Sequence, residues 1–301
     1  MVRLAATLLI ALVLFGCQQT REPIALDELA TSARGGDAAA RKELVQLLAA
    51  GNERTNDRVY ALILEIGDGM EPALLPAVTD SDRIRREFVI GALGNLKSKT
   101  AIPAISKVLA DSKLKRRYIA AWALGEIGTE ASVAPLVGSL SDADEEVRKY
   151  ATRSLIKLNR LSVKPLVTLL EQKPGPAATG AAIRALGDIA DPLSLEVLLK
   201  QLEGSGRAEA VTALGKLKDV RAVSALVSVL HDPDWQVRMN AATALGPIGG
   251  PEQAPQLETL LEDEVNVVRE WAARSLEMMT GKRYTYRNEA GEYVQPYNIY
   301  H

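Results

Sequence analysis

The chain has 301 residues, a formal net charge of −2, 47% hydrophobic residues and 4% aromatic residues. The near-neutral charge argues against the basic surface of a nucleic-acid binder. The single cysteine excludes a disulfide within the chain, and neither of the two histidines has a metal-ligand partner at useful spacing. We therefore predict no metal, no cofactor and no nucleic-acid partner.

The N-terminus has the pattern of an export signal. Arg3 gives a positive start, and residues 4–15 carry no charge. This stretch suits the apolar region of a signal peptide and is too short for a membrane span. The segment ends in Leu-Phe-Gly-Cys, which resembles the bacterial lipobox, although the phenylalanine is bulkier than the usual residue.

The lipobox resemblance implies cleavage after residue 16 and lipidation of Cys17, with residues 17–24 as a short linker. Because Gln18 is not the aspartate that favours inner-membrane retention in lipoproteins, the resemblance implies an outer-membrane anchor facing the periplasm. A plain signal peptide with a free thiol and a short uncleaved anchor remain the alternatives.

Residues 25–280 are organised by a recurring leucine, which we call the key leucine. Successive steps are 31, 31, 31, 28, 31 and 31 residues, and a glycine follows in five of seven cases. A fixed period of this size predicts a solenoid, whose repeats present one extended binding surface. The key leucines are Leu93, Leu124, Leu155, Leu186, Leu214, Leu245 and Leu276.

Other positions recur around each key leucine. Alanine dominates four residues before it, and the apolar positions follow helical spacing. This pattern predicts a B helix, preceded in each repeat by a second apolar segment, the A helix. Ile63 extends the series backward, and residues 26–33 are predicted to form a capping helix. An aspartate and, six residues later, an arginine also recur; we expect the aspartate to cap the next B helix or to pair with that arginine.

The Asp-x5-Arg spacing with Ala-Leu-Gly-x-Ile or Leu resembles the HEAT-like repeats of the phycobilin-lyase type, over about residues 38–280. The resemblance implies an all-α fold: a right-handed α-solenoid of about eight two-helix repeats, with the B helices lining the concave side. It also leaves open a lyase acting on a bound chromophore. The lone signal cysteine and scarce histidines argue against that alternative.

One repeat departs from the pattern. Residues 173–180 lose both the aspartate and the arginine, and the next repeat is the 28-residue one. A drifted repeat and a change of curvature or hinge near the middle are both compatible with this sequence.

Variable positions on the B helices are the predicted binding residues. They lie opposite the apolar stripe, and they include aromatic and arginine side chains, which are enriched as anchors of protein interfaces. Trp235 instead sits at a turn, where we expect it to pack. The candidate partner-binding residues are Phe88, Trp122, Tyr150, Arg153, Lys157, Arg184, Trp271 and Arg274.

The C-terminal segment 281–301 contains five tyrosines, and its alternation and central turn predict a small hairpin. It is either an end cap, which open solenoids need, or an arm that docks a partner.

We find no catalytic constellation, since the aspartates and arginines recur from repeat to repeat and a catalytic pair normally occurs once. The predicted function is therefore a non-enzymatic, membrane-anchored scaffold or adaptor for proteins of the bacterial envelope. A phycobilin-lyase-like enzyme and a module that recognises a cell-wall peptide or glycan are the alternatives.

Overall fold

The computed structural model describes residues 26–296, and the chain divides into two compact units between Leu74 and Leu75. The predicted signal peptide, the linker and Cys17 lie outside the described residues. Most of the described chain is helical, and its strands form one short hairpin. The prediction of an all-α solenoid is confirmed.

Unit 1 contains four helices, two of which begin at a polar cap. The Asp37 carboxylate accepts from the amides of Ala39 and Ala40 at 2.8 and 3.3 Å, and Asn52 caps the third helix in the same way. Ile63 is fully buried, as expected for a repeat position. The helices are α1 (Leu26–Arg34), α2 (Ala38–Leu47), α3 (Glu53–Ile66) and α4 (Glu71–Leu74), with a 3-10 turn at Gly67–Met70.

Unit 2 begins with a 3-10 turn at Leu75–Thr79. After this turn, B helices alternate with A helices; the B helices have odd numbers and the A helices have even numbers. Several A helices are short and continue as 3-10 turns, for example Ser139–Ser141. The helices are α5 (Arg83–Asn95), α6 (Ile102–Ala110), α7 (Tyr118–Ile127), α8 (Val133–Gly138), α9 (Glu145–Leu158), α10 (Arg160–Glu171), α11 (Pro176–Ile189), α12 (Leu195–Lys200), α13 (Arg207–Leu217), α14 (Val223–Ser228), α15 (Trp235–Leu245), α16 (Ala254–Glu258) and α17 (Asn266–Thr280).

The B helices of unit 2 pack against one another in chain order, from α5 to α17, and each A helix packs against the B helix that follows it. All seven key leucines have no solvent exposure. These leucines form the core between the layer of A helices and the layer of B helices. Such a core results when the apolar stripe of each repeat is buried against the next repeat.

The glycine after the key leucine allows neighbouring B helices to approach closely. A Cβ atom added at Gly187 would lie 2.7 Å from Ala213 Cα, and one at Gly125 would lie 2.6 Å from Ser154 Cβ. Ser154 also donates from Oγ to the Ala121 carbonyl across this contact, at 2.9 Å. The small residue one position before the next key leucine is therefore the partner of the glycine.

The recurring arginine connects two repeats. Arg117, the residue before α7, makes a two-pronged ion pair with Asp142, 25 residues later, including a contact of 2.8 Å from Nη2. Arg238 binds Asp263 in the same way, at 2.7 and 2.9 Å, and donates from Nη1 to the carbonyl of Asp232, six residues earlier. We call this series the Asp-Arg ladder.

The ladder corrects part of the prediction for the aspartates. The arginine six residues after the aspartate binds its main-chain carbonyl in four repeats, whereas the carboxylates of Asp142 and Asp263 pair with the arginine of the preceding repeat. Capping falls instead to an aspartate two residues later, such as Asp144, whose carboxylate accepts from the Glu146 amide at 3.0 Å.

The C-terminal hairpin lies against the last B helix. Its strands are β1 (Tyr286–Arg287) and β2 (Tyr293–Val294), which pair antiparallel. Tyr286 is buried, and the Arg287 carbonyl accepts a 2.6 Å hydrogen bond from Nε of Arg269. The chain continues from α17 into this hairpin, whose carbonyl takes the place that a ladder aspartate fills in other repeats.

Candidate functional site

The predicted binding residues all lie on the B helices of unit 2, but their exposure differs. Arg153, Lys157 and Arg184 are exposed; the five others are half-buried, namely Phe88, Trp122, Tyr150, Trp271 and Arg274. Trp235, which was expected to pack at a turn, is 41% exposed, so that expectation is wrong.

Aromatic and arginine side chains form a layered group across α7 and α9. The rings of Tyr118 and Tyr150 stack with centroids 4.8 Å apart. The guanidinium of Arg153 lies 5.6 Å from the centre of the Tyr150 ring, and Arg116 lies at the same distance over Tyr118. Such cation–π contacts hold an arginine in place while leaving its hydrogen-bond donors available.

Trp122 packs over the contact between α5 and α7. Its Cζ3 atom lies 3.3 Å from the position that a Cβ on Gly94 would occupy. Trp122 therefore covers the glycine and contributes to helix packing, so its removal would affect stability as well as any surface.

Ion pairs link several neighbouring B helices. Lys157 of α9 pairs with Glu126 of α7, and Lys216 of α13 pairs with Asp188 of α11 at 2.6 Å. Within residues 26–296, no hydrogen bond or ion pair joins α9 to α11. The α9–α11 interface thus lacks the polar link that the interfaces on either side have.

A second cluster lies on α17, where Arg274 is 4.9 Å from the centre of the Trp271 ring and 2.7 Å from Glu270 Oε1. The carboxylate of Glu270 takes up part of the donor capacity of Arg274. This cluster is therefore internally paired, in contrast to Arg153 and Arg184.

An open groove of about 560 Å³ lies where α9, α11 and α13 meet, and we call it the α9–α11 groove. Its volume is in the range of sites that hold a small ligand or a short stretch of peptide. The groove is lined by Glu145, Arg148, Lys149, Thr152, Arg153, Ile156, Pro176, Ala177, Gly180, Ala181, Arg184, Asp188 and Glu209.

The groove has an origin in the sequence. Ile156 follows the key leucine of α9, at the position where five other repeats have glycine. A single added carbon at Gly125 already comes within 2.6 Å of Ser154, so an isoleucine is incompatible with that close contact. The facing part of α11 has small residues, including Ala177 and Gly180, and a Cβ on Gly180 would meet only Glu209 Oε1, at 3.8 Å.

The charges of the groove follow from the break in the ladder. Position 25 after Arg148 is Lys173, so Arg148 has no ladder carboxylate and donates from Nη1 only to the carbonyls of Asp142 and Ala143. Among the described residues, Arg184 has no hydrogen-bond or ion-pair partner. Three guanidinium groups with unused donors, including that of Arg153, therefore surround the groove.

Where the Asp-Arg ladder is intact, as at Asp142, the carboxylate and the arginine are paired. The hydrogen bonds from Arg117 lower the pKa of the Asp142 carboxyl below its usual value, although burial acts in the opposite direction. The carboxylate is therefore held in its charged form by the arginine of the preceding repeat.

Arg153 and Arg184 were predicted from the sequence as binding residues, whereas Arg148, Ile156 and Glu209 were not. The missing glycine at 156 and the lysine at 173 were the available signals. Both belong to the repeat pattern and were noted as irregularities, and only the neighbouring helices show that they open one groove.

In the part of the chain that the structure describes, no three His, Cys, Asp or Glu side chains are grouped so that they could hold a metal ion. The helices within the same residues include none with the length and apolarity needed to cross a bilayer.

The family model of HEAT repeats matches residues 71–156, 136–206 and 203–277. Among solved structures, a Kap121p mutant is similar over 85% of this chain and 34% of that chain, with 16% identity and a TM-score of 0.57. This similarity concerns the fold. A comparison with curated proteins finds no match.

Two further structures align at lower TM-scores. Human deoxyhypusine hydroxylase in complex with glycerol has 22% identity over 87% of this chain and all of that chain, with a TM-score of 0.36. The complex of CpcE and CpcF of phycocyanin lyase from Nostoc sp. PCC7120 has 24% identity over 68% of this chain and 86% of that chain, with a TM-score of 0.37.

Proposed function

Because the chain belongs to the HEAT-repeat family, a family of helical repeat scaffolds, we propose that it is a membrane-anchored adaptor that binds proteins of the bacterial envelope through its B helices. The α9–α11 groove is the observation on which the proposal rests. It places a concave site of about 560 Å³ and exposed arginines on one layer of the solenoid. Arginine side chains beside aromatic rings are frequent anchors of protein interfaces.

The proposed action is binding without catalysis. The acidic and basic side chains that recur most regularly, those of the Asp-Arg ladder, are engaged in joining repeats. Arg153 and Arg184, which are not so engaged, present planar sets of hydrogen-bond donors that are suited to holding a carboxylate.

The proposed anchor is a lipid on Cys17, for which the sequence Leu-Phe-Gly-Cys is the support. Acylation with more than one chain would give firm membrane attachment, whereas a single chain gives only marginal binding. The short linker that follows would keep the repeats near the membrane surface, at the periplasmic side of the outer membrane.

Fractionation of cells tests the anchor. We expect the wild-type protein in the membrane pellet and the Cys17→Ser variant in the soluble fraction. Recovery of Cys17→Ser in the pellet, in the same proportion as wild type, would contradict lipid anchoring at this residue.

Photocrosslinking in cells tests the binding surface. A photoreactive amino acid replaces Arg184 on the B helix α11 or, as the matched control, the exposed Lys107 on the A helix α6. We expect a defined crosslinked partner from position 184 and none from position 107. Equal crosslinking from both positions, or none from 184 and from further B-helix positions such as 153 and 271, would contradict the adaptor function.

A further inference from the structure

The α9–α11 groove has a specific chemical character, which depends on three arginines. Arg148, Arg153 and Arg184 line it, and within the described chain none of the three forms an ion pair with a carboxylate. Arg153 and Arg184 are exposed, and Arg148 is half-buried. A guanidinium presents several donors in a planar fork that matches a carboxylate.

The acidic residues of the groove offset these charges only in part. Asp188 is neutralised by Lys216 at 2.6 Å, and Lys149 is held by Glu146 at 3.1 Å. Glu145, at the first position of α9, and Glu209, on α13, remain. Three arginines without an ion-pair partner against two unpaired glutamates leave a surplus of positive charge, and within residues 26–296 the only hydrogen bonds of these arginine side chains are those from Arg148 Nη1 to two carbonyls.

The shape of the groove favours an extended ligand. The α11 side of the groove is lined by small residues, namely Ala177, Gly180 and Ala181. The main chain of a ligand can therefore come near this side. Arg148 and Arg153 are five residues apart on α9, so they are separated by about 7.5 Å along the helix axis and by about 140° around it. Both line the groove, so a ligand that reaches both must span the width of α9.

We propose that the α9–α11 groove binds an extended acidic segment of a partner protein, whose carboxylates engage Arg148, Arg153 and Arg184. The proposal rests on the adaptor function and gives the chemistry of its ligand. The break in the Asp-Arg ladder is then part of the site: the repeat that lacks its own carboxylate receives one from the partner.

A comparison of two neighbouring repeats supports this assignment. Arg117 and Arg148 occupy the same repeat position, but the carboxylate of Asp142 is bound to Arg117, and Lys173 stands where Arg148 would find its partner. The donor that is satisfied internally in one repeat is thus available to a ligand in the next.

The probe for the test is a fluorescein-labelled nine-residue peptide with three glutamates at alternate positions, separated by alanine and serine. Its matched control has glutamine in place of each glutamate. Binding to the full-length protein in detergent is followed by fluorescence anisotropy. We expect the glutamate peptide to bind and the glutamine peptide to bind at least tenfold more weakly.

The protein variants locate the site. Arg153→Gln/Arg184→Gln removes two donors that make no hydrogen bond within the described chain, so folding should be unaffected, and we expect at least a tenfold loss of affinity for the glutamate peptide. Lys107→Gln, which removes an exposed charge on α6, should bind as wild type does. Equal unfolding curves for both variants and wild type exclude misfolding as the cause.

Three results would overturn the proposal: no binding of the glutamate peptide to wild type, equal binding of both peptides, or unchanged affinity in the double arginine variant. If any of these occurs while photocrosslinks from position 184 persist in cells, the ligand chemistry is wrong and the adaptor function stands. If the crosslinks are absent as well, both proposals fail.

Discussion

The α7–α9 and α9–α11 interfaces use the same repeat positions with different residues. Between α7 and α9, Gly125 meets Ser154 and Arg117 binds Asp142. Between α9 and α11, Ile156 replaces the glycine, and Lys173 stands in place of the aspartate. The first interface is closed and internally paired; the second contains a groove and an arginine without a carboxylate.

This difference shows how a repeat protein acquires a site. The repeat specifies close packing everywhere, so a local opening requires only that one packing residue and one pairing residue change. Because each repeat contacts its neighbours and little else, the change affects one interface and leaves the rest of the array in place.

The largest expected difference between the interfaces concerns their arginines. Arg117→Ala leaves the largely buried Asp142 carboxylate without its ion-pair partner, and we expect it to lower the free energy of unfolding by about 3 kcal/mol. Arg148→Ala removes only hydrogen bonds to two carbonyls, at a cost of about 1 kcal/mol. Urea denaturation measures both values, and equal losses would show that the two interfaces do not differ in this respect.

The same glycine-to-alanine change should have opposite effects at the two interfaces. Gly125→Ala forces a Cβ against Ser154, and overpacking of this kind costs about 2 kcal/mol. Gly180→Ala places a Cβ in open space on α11 and should stabilise the protein by about 0.7 kcal/mol through helix propensity. Thermal unfolding of the two variants separates the predictions; a destabilised Gly180→Ala variant would mean that the groove is narrower than described.

The ion pair between Arg117 and Asp142 should also make the free energy of unfolding depend on pH. The folded-state pKa of Asp142 lies below its ordinary value, mainly because of Arg117. The unfolded chain therefore takes up a proton at this residue first as pH falls. Its contribution is fully present above about pH 4, the unfolded value, and is lost as pH falls through the lower folded pKa.

The Asp142→Asn variant checks this linkage. Its free energy of unfolding should be lower than that of wild type near neutral pH and should decline less between pH 5 and pH 3, measured by urea denaturation at each pH. Parallel pH profiles for wild type and variant would contradict the assigned role of the carboxylate. Arg184→Gln serves as the comparison, because Arg184 is not among the groups that shift the pKa of Asp142.

The smallest effect is expected for the arginines that the groove presents to solvent. Arg153→Gln/Arg184→Gln should change the free energy of unfolding by no more than about 0.5 kcal/mol, since both side chains are exposed and neither makes a hydrogen bond within residues 26–296. A loss well above this value would assign them to structure rather than to binding.

The sequence predicted the helical repeats well because their cause is local and periodic. Key leucines such as Leu124 and Leu186 are fully buried, and the glycines that follow them make the expected close contacts. A period of about 31 residues with an apolar stripe has few physical solutions other than stacked helix pairs.

The partner of each ladder aspartate could not be obtained from spacing alone. A separation of six residues within a repeat suggests a local pair, whereas the structure joins Asp142 to Arg117 across 25 residues. Which of the two pairs forms depends on how adjacent repeats are offset in space. The sequence contains that offset only indirectly, through the length of the A helix and its turns.

The candidate site was predicted in part for a similar reason. Arg153 and Arg184 could be found as variable surface positions, but nothing in the sequence places them on one groove. Trp122 and Trp271 were chosen by the same rule and are half-buried. For Trp122 the reason is that the neighbouring helix carries Gly94, which the ring covers.

The most direct test of the central claim is amide hydrogen exchange, measured by mass spectrometry on the full-length protein with and without a saturating amount of the glutamate peptide. Binding in the groove predicts slower exchange in α9 and α11, unchanged exchange in α5 and α15, and no effect of the glutamine peptide. Protection that falls elsewhere on the B helices, or no protection at all, would contradict the claim that the irregular repeat is the binding site.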